Sequence, residues 1–207
     1  MKLHYYIIFI CFLLSGCCKK KKIGTIQFSS QQLSVNPYTG KEELIFIDNK
    51  GNNIIYKGQY RTKETQEDNG CVECCEDYYT VEWAENTFFE SSYLKSNLQV
   101  NLSMNFDRVS QKSNPTIHFA WYYYDNQSYV KGTSFVGFHL DSMQIQAARE
   151  SLFVSKILLR DKEFFNIYKC PGQTSDATLL HADTLYYSTS EGIVGLKFSD
   201  GNLWRKK

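Results

Sequence analysis

Between Leu98 and Phe106 every second residue is apolar: Leu98, Val100, Leu102, Met104 and Phe106 alternate with Gln99, Asn101, Ser103 and Asn105. A strand turns successive side chains to opposite faces, whereas a helix brings i, i+3 and i+4 together. Unbroken period two therefore predicts a β-strand with one face in the core and one in solvent. Composition agrees: aromatic residues make up 15% of the chain, chiefly 15 Tyr and 14 Phe, with only three Pro. Such side chains fit pleated, half-buried surfaces.

The rest of the chain follows the same logic. Glu43 to Ile47 and Ile54 to Tyr60 are apolar runs flanking Asp48-Asn49-Lys50-Gly51-Asn52-Asn53, the pattern of a hairpin. Residues 61–78 read as a polar loop. Thr116 to Tyr124 is apolar on nearly both faces and ends at the turn Asp125–Ser128, and Phe135 to Leu140 reads as a further strand. Lys156 to Leu159 and Phe164 to Tyr168 flank Arg160-Asp161-Lys162-Glu163 as a second hairpin. Turns at Ser188–Gly192 and Ser199–Asn202 separate three last runs: Leu185–Tyr187, Ile193–Phe198 and Leu203-Trp204. Residues 142–153, with Ala147 and Ala148, permit one short helix. Many short strands with regular turn signals predict a mainly β fold, an antiparallel meander closing as a sandwich or barrel with at most one short helix. The β-rich domain is expected to span residues 43–207 as a single unit, preceded by a polar tether over residues 17–42.

The N-terminus is different in kind. Lys2 precedes ten apolar residues, Tyr5 to Leu14, followed by Ser15, Gly16, Cys17, Cys18 and Lys19 to Lys22. This is the charged, apolar, small order of a secretory signal peptide, expected over residues 1–16. A spanning helix needs about 20 apolar residues, so this run is too short to remain in a bilayer. Leu14-Ser15-Gly16-Cys17 resembles the lipobox of bacterial lipoproteins. The resemblance implies cleavage before Cys17, acylation of its thiol, and anchoring to membrane lipid at the cell envelope. Two or three acyl chains hold firmly where one does not. Cys18 is not the aspartate that retains such proteins at the inner membrane, which favours the outer membrane. Farther along, Ile157 to Cys170 and Leu185 to Trp204, with the Gly-Ile-x-Gly strand and closing Asp-Gly-x-x-Trp, resemble the C-terminal half of small β-rich lipoproteins of Bacteroidota. That resemblance implies no catalytic residue.

Chemistry-bearing residues are few. Seven cysteines are present; Cys11 leaves with the signal peptide, Cys17 takes lipid and Cys18 lies beside it. An oxidising compartment favours pairing of Cys71, Cys74, Cys75 and Cys170. A bridge between neighbours Cys74 and Cys75 would strain the backbone, so one member of the cluster is expected to reach Cys170. Such a bridge closes a loop of roughly 95 to 100 residues and contributes up to about 4 to 5 kcal/mol in the chain-entropy account. The alternatives are a zinc site built on the three clustered thiolates, or a redox dithiol without a thioredoxin-like frame. Six carboxylates, Glu64, Glu67, Asp68, Glu73, Glu76 and Asp77, read as a solvated acidic loop whose spacing matches no calcium site.

His118, His139 and His181 fall in no H-x-x-x-H or H-E-x-x-H pattern and beside no G-x-S-x-G nucleophile, and no phosphate loop or dinucleotide fingerprint is present. No catalytic residue, metal or cofactor is therefore assigned. A net charge of +1 supplies no field for nucleic acid. Trp121, Tyr122, Tyr123 and Tyr124 are the candidate binding surface, set against the plainer reading of core on one side and interface on the other. The function expected is a membrane-anchored envelope lipoprotein, a non-catalytic binding or structural module for an envelope protein or glycan. The alternative is an envelope enzyme or metal protein using Cys71, Cys74 and Cys75.

Overall fold

The structure is a computed structural model that describes residues 22–59, 62–67, 78–91, 95–107, 112–124, 130–140, 152–174 and 180–207. The strands are β1 (Lys22–Ile26), β2 (Glu43–Ile47), β3 (Asn53–Gly58), β4 (Thr62–Glu67), β5 (Tyr78–Glu90), β6 (Ser96–Asp107) and β7 (Lys112–Tyr124), then β8 (Val130–His139), β9 (Phe153–Leu159), β10 (Lys162–Gln173), β11 (Ala182–Ser188), β12 (Gly192–Phe198) and β13 (Leu203–Lys206). Among the described residues one short helix, α1 (Ser30–Ser34), joins them.

Of the two architectures expected, the barrel is the one formed. Ten strands pair antiparallel in the order β5-β3-β2-β13-β12-β11-β10-β8-β7-β6, and β6 returns to β5 to close the ring. Closure leaves no free edge within the ring, which is how an antiparallel sheet of this size avoids templating another chain. β6 behaves as its alternation demands: Leu98, Val100 and Leu102 are fully buried and Met104 nearly so. Each such side chain contributes about 1.5 to 3 kcal/mol by leaving water. The two expected hairpins are present. Gly51 takes a left-handed φ of 87° between β2 and β3, and Arg160 takes φ 59° between β9 and β10. The β9–β10 hairpin folds its apolar side onto the outside of the barrel, where Leu159, Phe164 and Ile167 pack with Tyr186 and Val194 as a second, smaller core.

Two expectations differ from what forms, and one strand was not foreseen. Residues 78–90, which carry no regular alternation of apolar and polar side chains, form β5. Its inward positions are Glu82, Ala84, Asn86, Phe88 and Glu90, all buried, while Trp83 and Phe89 are the half-buried outer residues. The usual polarity of a barrel strand is inverted over half its length. Residues 62–67, read as loop, pair along the outer edge of β5 as the wholly polar strand β4. Finally, the segment from Lys22 to Glu42, read as tether, is largely part of the barrel. β1 pairs parallel with the start of β5, α1 follows under a capping box in which Ser29 and Gln32 exchange hydrogen bonds, and Phe28, Val35 and Tyr38 are buried in the main core. The helix expected within residues 142–153 falls mostly outside the described residues, and Phe153 opens β9.

Inverted polarity and inserted segment explain each other. The peptide N–H of Phe28 donates to Glu82 Oε2 at 2.6 Å, and Asn36 Nδ2 donates to Asn86 Oδ1 at 2.7 Å. On the opposite wall Tyr187 OH donates to the Val35 carbonyl at 2.6 Å, and Ile193 N–H donates to Tyr38 Oη at 2.5 Å. The Tyr38 ring meets Phe88 edge-on at 4.8 Å. Residues 28–38 therefore close one end of the barrel, and the inward Glu82 and Asn86 satisfy polar groups that this plug carries into the interior.

Candidate functional site

The other end of the barrel is open, and two turns shape it. In the β2–β3 turn, Asp48 accepts hydrogen bonds from Lys50 N at 2.9 Å, Asn52 N at 2.8 Å and Asn52 Nδ2 at 3.0 Å. Burial pushes the Asp48 carboxyl up, but those bonds outweigh it and hold the group below the usual carboxylate range. In the β12–β13 turn, Asn202 N donates to Asp200 Oδ1 at 2.9 Å and Gly201 adopts φ 81°. Asn49 joins the turns: its N–H donates to Asn202 Oδ1, its Nδ2 to the Gly201 carbonyl, and its Oδ1 accepts from Leu203 N, all within 3.3 Å. Arg160 adds a bond from Nη1 to the Asp48 carbonyl. The rim is thus held by cross-strand bonds at two rigid turns.

Aromatic side chains form the floor. Trp121 Nε1 donates to Tyr56 Oη at 3.2 Å, and Tyr56 Oη lies 2.6 Å from Ser96 Oγ. Burial raises the Tyr56 phenol far above its ordinary range. Phe198 stands edge-on to Trp121 at 5.2 Å and packs on Trp204 at 4.4 Å, while Tyr123 lies 5.5 Å from Trp121. Asp48, Ile54, Trp121, Tyr123, Leu180, Asn202 and Trp204 together line a notch of about 130 Å³.

The candidate run Trp121–Tyr124 is divided by the strand it lies on. Trp121 and Tyr123 point inward to the notch, with Trp121 almost wholly buried and Tyr123 half-buried. Tyr122 takes the other face, where it lies over Gly132, a position at which any Cβ would overlap the Tyr122 ring. Of Tyr124 only the backbone pairing with Val130 is described. The four residues thus do not form one platform, and the chain supplies Trp204, Asp48 and Asn202 from elsewhere. Their signal in the sequence is the pair of turns, Asp48-Asn49-Lys50-Gly51-Asn52 and Asp200-Gly201-Asn202, the second followed two residues later by a tryptophan.

The remaining candidates are dispersed. Cys170 is 1% exposed inside the barrel, its Sγ 3.9 Å from the Tyr168 carbonyl; Cys17, Cys71, Cys74 and Cys75 lie outside the described residues. His181 Nε2 is 3.1 Å from Asp183 Oδ1. His118 is exposed on the outer face with Nε2 2.8 Å from Thr116 Oγ1, at a bulge where Val136 and Gly137 oppose it. With His139, Ser134 and Gln173 it borders a shallow depression. Among the described residues, no group of three or more His, Cys, Asp or Glu side chains converges to hold a metal. No protein-family model, curated protein or solved structure matches the chain.

Proposed function

We propose that this chain is a lipid-anchored protein of the cell envelope, held at the outer membrane on its periplasmic or surface face, whose barrel is a non-catalytic binding module. The aromatic notch is the point at which it holds a sugar ring of an envelope glycan. The anchoring half is supported by the ten-residue apolar run ending at Ser15-Gly16-Cys17. The binding half is carried by one observation, the convergence of Trp121, Tyr123 and Trp204 beneath a rim bearing Asp48 and Asn202. Tyr123, the half-buried aromatic of the three, offers its ring to the apolar face of a sugar, and the rim carboxylate and amide are groups that hydrogen-bond hydroxyls. At about 130 Å³ the notch seats one edge of a sugar ring and leaves the rest outside, since a cavity of about 150 Å³ holds only benzene.

Titration of the purified, acylated chain with neutral monosaccharides and short oligosaccharides, followed by tryptophan fluorescence, tests the binding half. Saturation with Kd about 1 mM is expected for so small a contact. Tyr123→Ala should abolish it while leaving the circular dichroism spectrum unchanged. A response to aromatic amino-acid amides and none to sugars would transfer the notch to a protein partner. Turnover of a substrate without binding would remove the module reading altogether. Intact-mass analysis tests the anchor: a retained Met1, or a mature start without fatty acids, refutes it. Pairing of Cys170 with Cys71, Cys74 or Cys75 belongs to the same reading and is tested by non-reducing peptide mapping. Stoichiometric metal or reactive thiols at the cluster would favour the enzyme or metal-protein alternative.

A further inference from the structure

The acylated cysteine of the proposed anchor, Cys17, lies only five chain steps before Lys22, where the first strand of the barrel begins. Lys22 already pairs with Tyr78, and from Lys22 on the chain cannot lengthen the link without unpairing β1 and drawing Phe28, Val35 and Tyr38 out of the core. Five residues span at most roughly 17 Å fully extended, whereas a tether running to residue 42 would have reached several times farther. The barrel is therefore held close to the bilayer by one particular corner.

The register identifies that corner. β4 occupies one edge of β5 at Thr80 and Val81, so β1 takes the other, the edge that β6 pairs with farther along, beyond the last β5–β6 pair at Trp83 and Ser103. The tip so formed comprises Lys22, Ile23, Tyr78 and Tyr79, at the same end of the barrel as the outermost β6–β7 pair, Asp107 with Lys112. Ile23 is 51% exposed, one of five large apolar side chains so exposed among the described residues, and it alone of them lies on β1 or β5. An exposed isoleucine beside two half-buried tyrosines, preceded by lysines 19–22, has the chemistry of residues that settle at a membrane–water interface. Glu73, Glu76 and Asp77 precede Tyr78 in the sequence and offset the lysines, so the contact rests on tether length and apolar character and not on net charge.

We propose that the tip formed by β1 and the start of β5 lies on the lipid surface, so that the plugged end of the barrel faces the bilayer and the aromatic notch faces away. This rests on acylation of Cys17. β5 connects the two ends: its last residue, Glu90, pairs with Tyr56 beneath the notch. Thirteen residues at about 3.3 Å each, tilted as barrel strands are, place the notch roughly 30 Å farther from the lipid than the tip.

Lysine acetylation footprinting of the full acylated protein, read by mass spectrometry, tests this in vesicles of phosphatidylcholine with and without phosphatidylglycerol, against the same protein in detergent. Lys22 and Lys112 lie at the tip; Lys50, Lys95 and Lys131 lie at the notch end. In both vesicle types Lys112 should be protected about fivefold, the occupancy expected when a half-exposed isoleucine is buried by a surface already within reach. Lys50, Lys95 and Lys131 should be unchanged. Insertion of a long Gly-Ser segment between Lys21 and Lys22, or Ile23→Asp, should remove the protection. Equal protection at both ends, protection untouched by the insertion, or none at Lys112 would overturn the orientation, provided intact mass shows the acyl chains. Absence of acyl chains would instead remove the anchor reading beneath it.

Discussion

Gly192→Ala is the most discriminating perturbation of the plugged end. Gly192 opens β12 at φ 76°, and a Cβ there would overlap Tyr38 Oη and Cζ. The left-handed backbone alone costs an alanine about 1 to 2 kcal/mol. The overlap must also displace a buried ring that accepts the Ile193 N–H and packs edge-on against Phe88. Leaving that N–H unsatisfied adds about 1 to 3 kcal/mol. The total is about 2 to 5 kcal/mol. Gly51 provides the control: its φ is 87°, and a Cβ there meets nothing within 4 Å. Gly51→Ala should thus cost only the backbone share, about 1 to 2 kcal/mol. Urea denaturation of the two variants measures the difference, and native-state hydrogen exchange over residues 28–38 locates it. Gly192→Ala should raise exchange in that segment, whereas Gly51→Ala should not. Equal destabilisation by the two, with residues 28–38 exchanging freely in the wild type, would mean the segment is a tether and not a plug.

Tyr56→Phe removes the hydroxyl between Ser96 Oγ and Trp121 Nε1. It should cost about 1 to 3 kcal/mol by stranding buried polar groups, and should shift tryptophan emission from the notch. No loss of stability would argue that the network is not formed. The carboxyls of Asp48 and Glu42 are both held low: burial raises each, and the hydrogen bonds they accept more than compensate. A carboxyl depressed in the folded state contributes stability that is present above its unfolded pKa of about 4 and is lost as pH falls through the lower folded value. Asp48→Asn should therefore flatten the fall in melting temperature below about pH 4, and an unchanged acid limb would contradict the assignment. Cys170, 1% exposed, should resist alkylation in the native protein and react with iodoacetamide only after unfolding and reduction. Labelling of the native form would show that the barrel wall opens there.

Much of the fold was legible because its physics is local. The alternation from Leu98 to Phe106 states which face is buried before any partner strand is known. The turn residues around Gly51 and Gly201 likewise state where the chain reverses. β5 was not legible, because its inward residues Glu82 and Asn86 are polar for a reason that lies 50 to 54 residues earlier in the chain: they receive Phe28 and Asn36. The plug itself carries three buried apolar side chains, Phe28, Val35 and Tyr38, at i, i+7 and i+10, a helical spacing that only Ser30–Ser34 follows in the fold, so the local pattern does not mark the segment as barrel core.

The same division holds for the site. Trp121 and Tyr123 could be singled out as an aromatic run, but their alternation assigns them to one face and Tyr122 to the other. Which face meets Trp204, Asp48 and Asn202 depends on strand order around the ring. Local side chains were enough to state the β character and the turns around Gly51 and Gly201, since each follows from residues within a few positions of one another. Tertiary structure alone decided that the ring closes, that its N-terminal segment seals one end, and that the notch opens at the other, because those outcomes depend on contacts between residues far apart in the chain.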